Sequence, residues 1–165
     1  MRGYLVRHGE AKAETEDPAR SLSERGREEV RVVALHVAAA GVQVSQILHP
    51  GNLRARQTAE ILAEYLRPLR GIKEMDGLAP NDDPEKARAE LEAAGEPLMI
   101  VGHLPHLGLL VSALVLSDPR KDLIQLPTGA MACLVRTKEG FRLEWLLTPE
   151  LAGALELSTG LGGDG

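Results

Sequence analysis

The chain has a single cysteine, Cys133, among 165 residues. One thiol cannot close an internal disulfide, and no Cys/His grouping shows metal-ligand spacing. Cys133 lies in the apolar run Ala130-Met131-Ala132-Cys133-Leu134-Val135 and reads as a buried core thiol. A reactive cysteine needs a polar, electropositive setting that this run lacks. Aromatic residues make up only 2%, so the core must be built mainly of Leu, Val, Ile and Ala. The N-terminal run Met1 to Val6 turns polar at Arg7, too soon for a signal peptide or a membrane span. The expected location is therefore the cytoplasm. The formal net charge of −5 argues against general nucleic-acid binding. It leaves room for a local cluster of cations, which acts at contact range in a cleft.

What is present is the balance of a soluble globular protein, 44% hydrophobic and 26% charged. The length fits one domain over residues 1–150, followed by a partly mobile tail, 151–165. A domain of this size buries roughly two thirds of its unfolded surface, so it needs no metal or disulfide staple.

Apolar runs and helical periodicities alternate along the chain. Gly3 to Val6 reads as a strand. Ser23 to Ala40 reads as a helix, with Ser23 as cap and Val30, Val33, Ala34, Val37 and Ala38 on one face. Gly41 stands where a helix ends. Val44 to Leu48 is a second strand, and Asn52 to Leu66 a second helix, capped by Asn52 and stopped by Pro68. Ile72 to Met75 is a short strand, Asp76 to Asp83 a loop, and Pro84 to Ala94 a short exposed helix. Leu98 to Val101 is apolar throughout, as a strand buried on both faces must be. A helix follows from Pro105 to Leu116. Ala130 to Val135 and Leu143 to Leu147 form a hairpin across Lys138-Glu139-Gly140. The order implies an α/β fold: a three-layer sandwich with a mostly parallel central sheet and helices on both faces.

In such sheets ligands sit beyond the carboxyl ends of the strands. Arg7, His8, Gly9 and Glu10 follow the first strand. His49, Pro50 and the helix opening with Arg54 follow the second. Gly102 and His103 follow the strand Leu98 to Val101. On one sheet edge, Arg7, His8, Arg54 and His103 converge on a space suited to a phosphoryl group. A helix N-terminus favours an anion, and each guanidinium fork can bond two phosphate oxygens. A plainer reading stands beside this one. Each residue taken singly is ordinary, and Arg54 at a helix start can be balanced by Glu10, Glu60 or Glu64. His36, His49 and His106 read as structural or rim residues.

Four ordered segments resemble the histidine phosphatase (phosphoglycerate mutase-like) superfamily. Leu5-Val6-Arg7-His8-Gly9-Glu10-Ala11 resembles its RHG motif. Leu22-Ser23-Glu24-Arg25-Gly26 is similar to L-[ST]-x-x-G. His49-Pro50-Gly51-Asn52-Leu53-Arg54-Ala55-Arg56-Gln57-Thr58-Ala59 resembles S-P-x-x-R-A-x-Q-T-A, with His49 in place of the serine. Val101-Gly102-His103-Leu104-Pro105 resembles the second-histidine motif. Within the superfamily, the short chain, His103-Leu104-Pro105-His106-Leu107-Gly108 and Leu126-Pro127-Thr128-Gly129-Ala130 are most similar to the SixA-type phosphohistidine phosphatases. The resemblance implies that His8 is the nucleophile of a phosphohistidine intermediate. It implies that Arg7 and Arg54 clamp the phosphoryl oxygens and that His103 donates a hydrogen bond to the same group. No metal or other cofactor is implied, because arginines can stabilise the transferring charge.

Ester hydrolysis also requires an acid to protonate the leaving alkoxide. Asp76, Asp82 and Asp83 fall in the relevant loop but form no motif, and a solvated loop is the plainer reading. An imidazole leaving group needs an acid less, so phosphohistidine on a protein is the expected substrate. Arg20 can line the rim of an open pocket or be a solvated surface residue. The alternatives are a phosphomonoesterase for a small sugar or nucleotide phosphate, with a loop aspartate as acid, and a non-catalytic module that binds phosphate. The expected partners are a phosphorylated protein or a small phosphorylated metabolite, with no nucleic acid and no membrane.

Overall fold

A computed structural model describes residues 1–153; the tail reading therefore lies mostly outside the described residues. The elements are β1 (Arg2–Arg7), α1 (Glu24–Ala39), β2 (Gln46–His49), α2 (Leu53–Leu66), β3 (Ile72–Glu74), α3 (Glu85–Ala93), β4 (Leu98–Gly102), α4 (His106–Leu116), β5 (Met131–Thr137) and β6 (Gly140–Leu147). They form one six-stranded sheet in the order β3-β2-β4-β1-β5-β6. The neighbours from β3 to β1 pair in parallel, and β5 and β6 add an antiparallel edge. The α/β architecture expected from the sequence is the one observed.

Alternation along the strands divides the core in two. Tyr4, Val6, Ile47, Met99, Val101, Met131 and Cys133 face α1 and α2. Leu5, Leu48, Leu98, Ile100, Ala132 and Leu134 face α3 and α4. Leu5, Met99 and Ile100 are completely buried. Each such side chain contributes about 1.5–3 kcal/mol. With both faces covered, β1 and β4 must be apolar throughout, as their sequences are.

Local signals explain the ends of the helices. The Ser23 hydroxyl oxygen accepts from the Gly26 amide and caps α1. Gly41, at φ 86°, continues the chain past Ala40 with its amide on the Ala38 carbonyl. Asn52 precedes α2 as expected, but its side chain makes no capping bond. β6 starts at Gly140 rather than Leu143, because Phe141 and Arg142 pair with Arg136 and Val135 across the hairpin. Its first residues alternate between exposed and buried, and the charge on Arg142 disguises the strand. Residues 149–153 are helical and bury Ala152 in the α1–α2 core. Cys133 is buried as expected; burial, followed by the neighbouring Glu144, pushes its thiol up to about 12. No helix among the described residues is long and apolar enough to cross a membrane.

Gly26 is the tightest joint between α1 and the segment after β1. A Cβ there would run into the backbone of Glu10, which cannot turn aside as a side chain can. Gly95, by contrast, has open space around it. Gly26→Ala is expected to lower unfolding free energy by ~1–3 kcal/mol. Gly95→Ala should change it by less than ~0.5 kcal/mol. Urea denaturation of both variants checks the contrast.

Candidate active site

The register of β1 on β4 pairs Arg7 with Gly102. The residues that follow them, His8 and His103, emerge side by side at the carboxyl edge of the sheet. The His8 amide donates to the Gly102 carbonyl (3.0 Å), and the two imidazoles lie 4.9 Å apart between centroids, tilted by 57°. On the other flank of β1, the turn ending in Gly129-Ala130 fixes the backbone. The Arg7 amide donates to Ala130, and the Gly129 amide is shared between the carbonyls of Arg7 and His8. Gly129 adopts φ 78°, which a side chain would strain.

The first turn of α2 is tied to the same loop. The Gly9 amide donates to Thr58 Oγ1 (3.0 Å), and the Thr58 hydroxyl donates to the Arg54 carbonyl (2.8 Å). Gln57 Oε1 accepts from the Leu22 amide, joining the segment before α1. These bonds give Thr58 and Gln57 framework roles that sequence reasoning quoted only as part of a motif.

The ring of His8 is held in one tautomer. Its Nδ1 lies 2.7 Å from the Gly9 carbonyl oxygen, which can only accept. Nδ1 therefore carries the hydrogen, and Nε2 keeps a lone pair. Burial lowers the His8 pKa to about 4, with the charges of Arg54, Arg7 and Arg20 acting in the same direction against the Gly9 carbonyl. Burial also lowers His103 to about 3, reinforced by His8, Arg54, His106 and Arg7. Nε2 of His103 lies 2.9 Å from Oδ1 of Asn52.

The arginines carry charge without a counter-charge. Arg7 donates from Nη1 to the Leu126 carbonyl, and its Nε is buried with no partner. Desolvation lowers the pKa of Arg7; desolvation, then the charge of Arg20, lowers that of Arg54. Arg20 adopts φ 52° and donates from Nε to the Lys12 carbonyl. Among the described residues, none of the three forms an ion pair. Glu10 accepts from Ser23 and lies 3.9 Å from Arg25, while Glu60 pairs with Arg56. Neither these carboxylates nor Glu64 forms an ion pair with Arg54 among the described residues, against that part of the plainer reading. Three guanidiniums, two neutral imidazoles and a helix N-terminus are a receptor for a compact dianion.

Among the described residues, none of the other candidates hydrogen-bonds to a side chain of this cluster. Asp82 accepts from the Ala79 amide and Asp83 from the Glu85 amide, so both organise the loop before α3. Their charges act on His106, which is completely buried and lowered chiefly by that burial. Asp76 is exposed. His49 is buried, and its Nδ1 donates to the Pro50 carbonyl. Three residues, not two, separate Pro50 from Arg54. The serine of the S-P-x-x-R pattern therefore falls on Pro50 and its proline on Gly51, correcting the place given to His49 above. A groove of about 630 Å³ lined by Tyr4, Val37 and Trp145 lies toward the opposite end of β1 and holds no such cluster; its Arg2 is paired with Glu144.

Residues 3–82 match the histidine phosphatase superfamily (branch 1). The chain is 26% identical over 155 residues to the phosphohistidine phosphatase SixA of Escherichia coli K12, covering 90% of this chain and 94% of that protein. An uncharacterized protein of Picosynechococcus sp. is 34% identical over 166 residues, covering 89% of this chain and 99% of its own. The structure of SixA complexed with tungstate superimposes with a TM-score of 0.79 over 90% of this chain and 97% of that one, at 26% identity. The alpha-ribazole phosphatase of Shigella flexneri shares the fold at a TM-score of 0.73 and 18% identity, over 90% and 97% of the two chains.

The lowered histidine pKa values set a pH dependence. A histidine whose pKa falls on folding binds its proton more readily when unfolded. Stability is therefore fully present above about 6.5 and declines as pH falls toward about 4 for His8 and 3 for His103. In NMR titration the His8 ring signals should stay flat from about pH 8 to about pH 5, where a free imidazole would already have titrated. A midpoint near 6.5 would contradict the buried, cation-flanked setting.

Proposed function

The chain belongs to the histidine phosphatase superfamily and is a phosphatase, and from that premise we propose that it removes the phosphoryl group from phosphohistidine on a protein by way of His8. The observation that carries this reading is the His8 ring itself. Its hydrogen is held on Nδ1 by the Gly9 carbonyl, which leaves the lone pair on Nε2, and the charges of Arg54, Arg7 and Arg20 act on the ring. Nε2 attacks phosphorus, and the bond to the donor nitrogen breaks. Arg7 and Arg54 hold the phosphoryl oxygens as charge moves across them. Water then releases phosphate and restores His8. Preorganised charge is the main source of rate in such a site, because phosphoryl transfer asks the protein for positioning and electrostatics rather than for new covalent chemistry.

The substrate class follows from leaving-group chemistry. An imidazole departs as a neutral ring when its other nitrogen carries a proton, whereas an alkoxide needs an acid beside it. Asp82 and Asp83 are engaged with backbone amides and act on His106, so neither is in evident service to His8. The similarity to SixA over nine tenths of the chain supports the same substrate. A phosphotransfer domain of a signalling or carbohydrate-uptake relay fits the chemistry as partner.

A labelled phosphohistidine protein, mixed with the enzyme and quenched in alkali, should leave acid-labile phosphate on His8 and none on the His8→Ala variant. Arg54→Ala should lower kcat by about 10²–10³. Turnover of phosphohistidine protein should exceed that of sugar and nucleotide monoesters. Faster ester hydrolysis, lost in an Asp76→Ala, Asp82→Ala or Asp83→Ala variant, would instead establish the small-molecule phosphomonoesterase. Tight phosphate binding without turnover of any substrate would establish the binding module.

A further inference from the structure

Asn52 is a polar side chain at the site whose placement serves neither the arginine cluster nor the helix it precedes. It stands at the N-cap of α2, where an asparagine ordinarily accepts a backbone amide, yet it caps nothing. Its Oδ1 instead meets His103 Nε2 at 2.9 Å, across 51 positions of sequence. Its Nδ2 is buried with no partner. A fold under selection for stability alone would turn this amide to the helix.

The bond has a chemical consequence. A neutral imidazole carries one N–H, and an amide oxygen can only accept. The hydrogen of His103 is therefore on Nε2 and engaged by Asn52, so the neutral ring does not offer it to a phosphoryl group as the family resemblance implied, and Nδ1 is the ring nitrogen left with a lone pair. An acceptor that orients an imidazole, and the imidazole so oriented, are the first two parts of an orienter–base–nucleophile arrangement. The His103 ring lies 4.9 Å from the His8 ring between centroids, beside the nitrogen that would carry the phosphorus attacked by water.

We propose that Asn52 is a positioning residue of the reaction: it holds the hydrogen of His103 on Nε2, so that Nδ1 takes a proton from the water that releases phosphate from His8. This rests on the phosphohistidine reading above. In the step, the water oxygen bonds to phosphorus while one of its O–H bonds breaks and that proton passes to Nδ1 of His103. The P–N bond to His8 Nε2 breaks, and its electron pair returns to the ring, whose Nδ1–H stays on the Gly9 carbonyl. The products are hydrogen phosphate, neutral His8 and protonated His103, which then gives its proton to solvent. In the empty pocket, burial and the flanking His8, Arg7, Arg54 and His106 keep His103 neutral. A phosphoryl dianion between these groups offsets the cations and restores the basicity of the ring.

Rapid-quench kinetics with a phosphohistidine donor separate formation of the phosphoenzyme from its hydrolysis. Asn52→Leu fills the space without an acceptor. It should leave phosphorylation of His8 within about threefold while slowing hydrolysis at least about tenfold, so that phosphoenzyme accumulates. Asn52→Asp keeps an acceptor and a good capping residue. It should restore hydrolysis to within about threefold and move the acid limb of the pH–rate profile upward, since a carboxylate favours the imidazolium. Equal hydrolysis rates and superimposable pH profiles in all three proteins, with His8→Ala inactive, would overturn the role of Asn52 and leave the phosphohistidine reading standing. Full activity in His8→Ala would remove that reading itself. If Asn52→Leu lacks a cooperative urea transition, the pH limb of Asn52→Asp decides alone: an upward shift supports the role, and an unmoved limb overturns it.

Discussion

The site depends first on the parallel pairing of β1 with β4. The pairing of Arg7 with Gly102 makes His8 and His103 the next residues on adjacent strands, although 95 positions separate them in sequence. A slip of one residue would move every side chain of β1 to the other face. The core forbids this slip. Tyr4 and Val6 are committed to the helices α1 and α2, and Leu5 to α3 and α4. Burial on both faces thus fixes the register, and the register fixes the distance between the two imidazoles. Gly129 on one side and Thr58 on the other then fasten the segment that carries the His8 ring.

On that scaffold the chain assembles charge that does nothing for the stability of the empty protein. Arg7 and Arg54 are partly desolvated and lack carboxylate partners, and Arg7 leaves a buried Nε without a hydrogen bond. Several arginines elsewhere behave differently: Arg2, Arg25, Arg31, Arg56, Arg88, Arg120 and Arg142 have acidic neighbours within ion-pair distance. The contrast is local and physical. Among the described residues no carboxylate pairs with Arg7, Arg54 or Arg20, and their charges reinforce burial, the larger cause, in lowering the pKa of His8; burial, followed by the charges of His8, Arg54, His106 and Arg7, does the same for His103. The cations that reinforce burial in keeping the two rings neutral also suit a phosphoryl dianion, so the same charges bear on both.

Much of this was legible in the sequence. The apolar runs at β1 and β4 can only be strands covered on both faces. The alternation of such runs with helical periodicity gives the layer architecture and, through it, the edge where Arg7, His8, Arg54 and His103 meet. The Ser23 cap and the Gly41 stop could be read because their partners lie within a helical turn. What could not be read depends on distant partners. Asn52 has the sequence signature of a cap, and only the folded chain reveals that His103 takes its side chain. Arg54 had several acidic residues available to neutralise it, and spacing alone did not show that Glu10 and Glu60 turn elsewhere. The start of β6 was hidden because an edge strand needs only one apolar face, and Phe141 alone marked it there. The aspartates of the 76–83 loop carried no periodic signal, so the engagement of Asp82 and Asp83 with backbone amides also required the structure.

The account turns on a single phosphorus-sized space bounded by His8, Arg7, Arg54 and His103. A crystal structure of the protein with vanadate, which accepts an imidazole nitrogen as a fifth ligand, measures that space directly. The account predicts vanadium bonded to Nε2 of His8, with its equatorial oxygens held by Arg7 and Arg54 and with His103 alongside. Vanadate bound elsewhere, or bound here without a bond to His8, would contradict it.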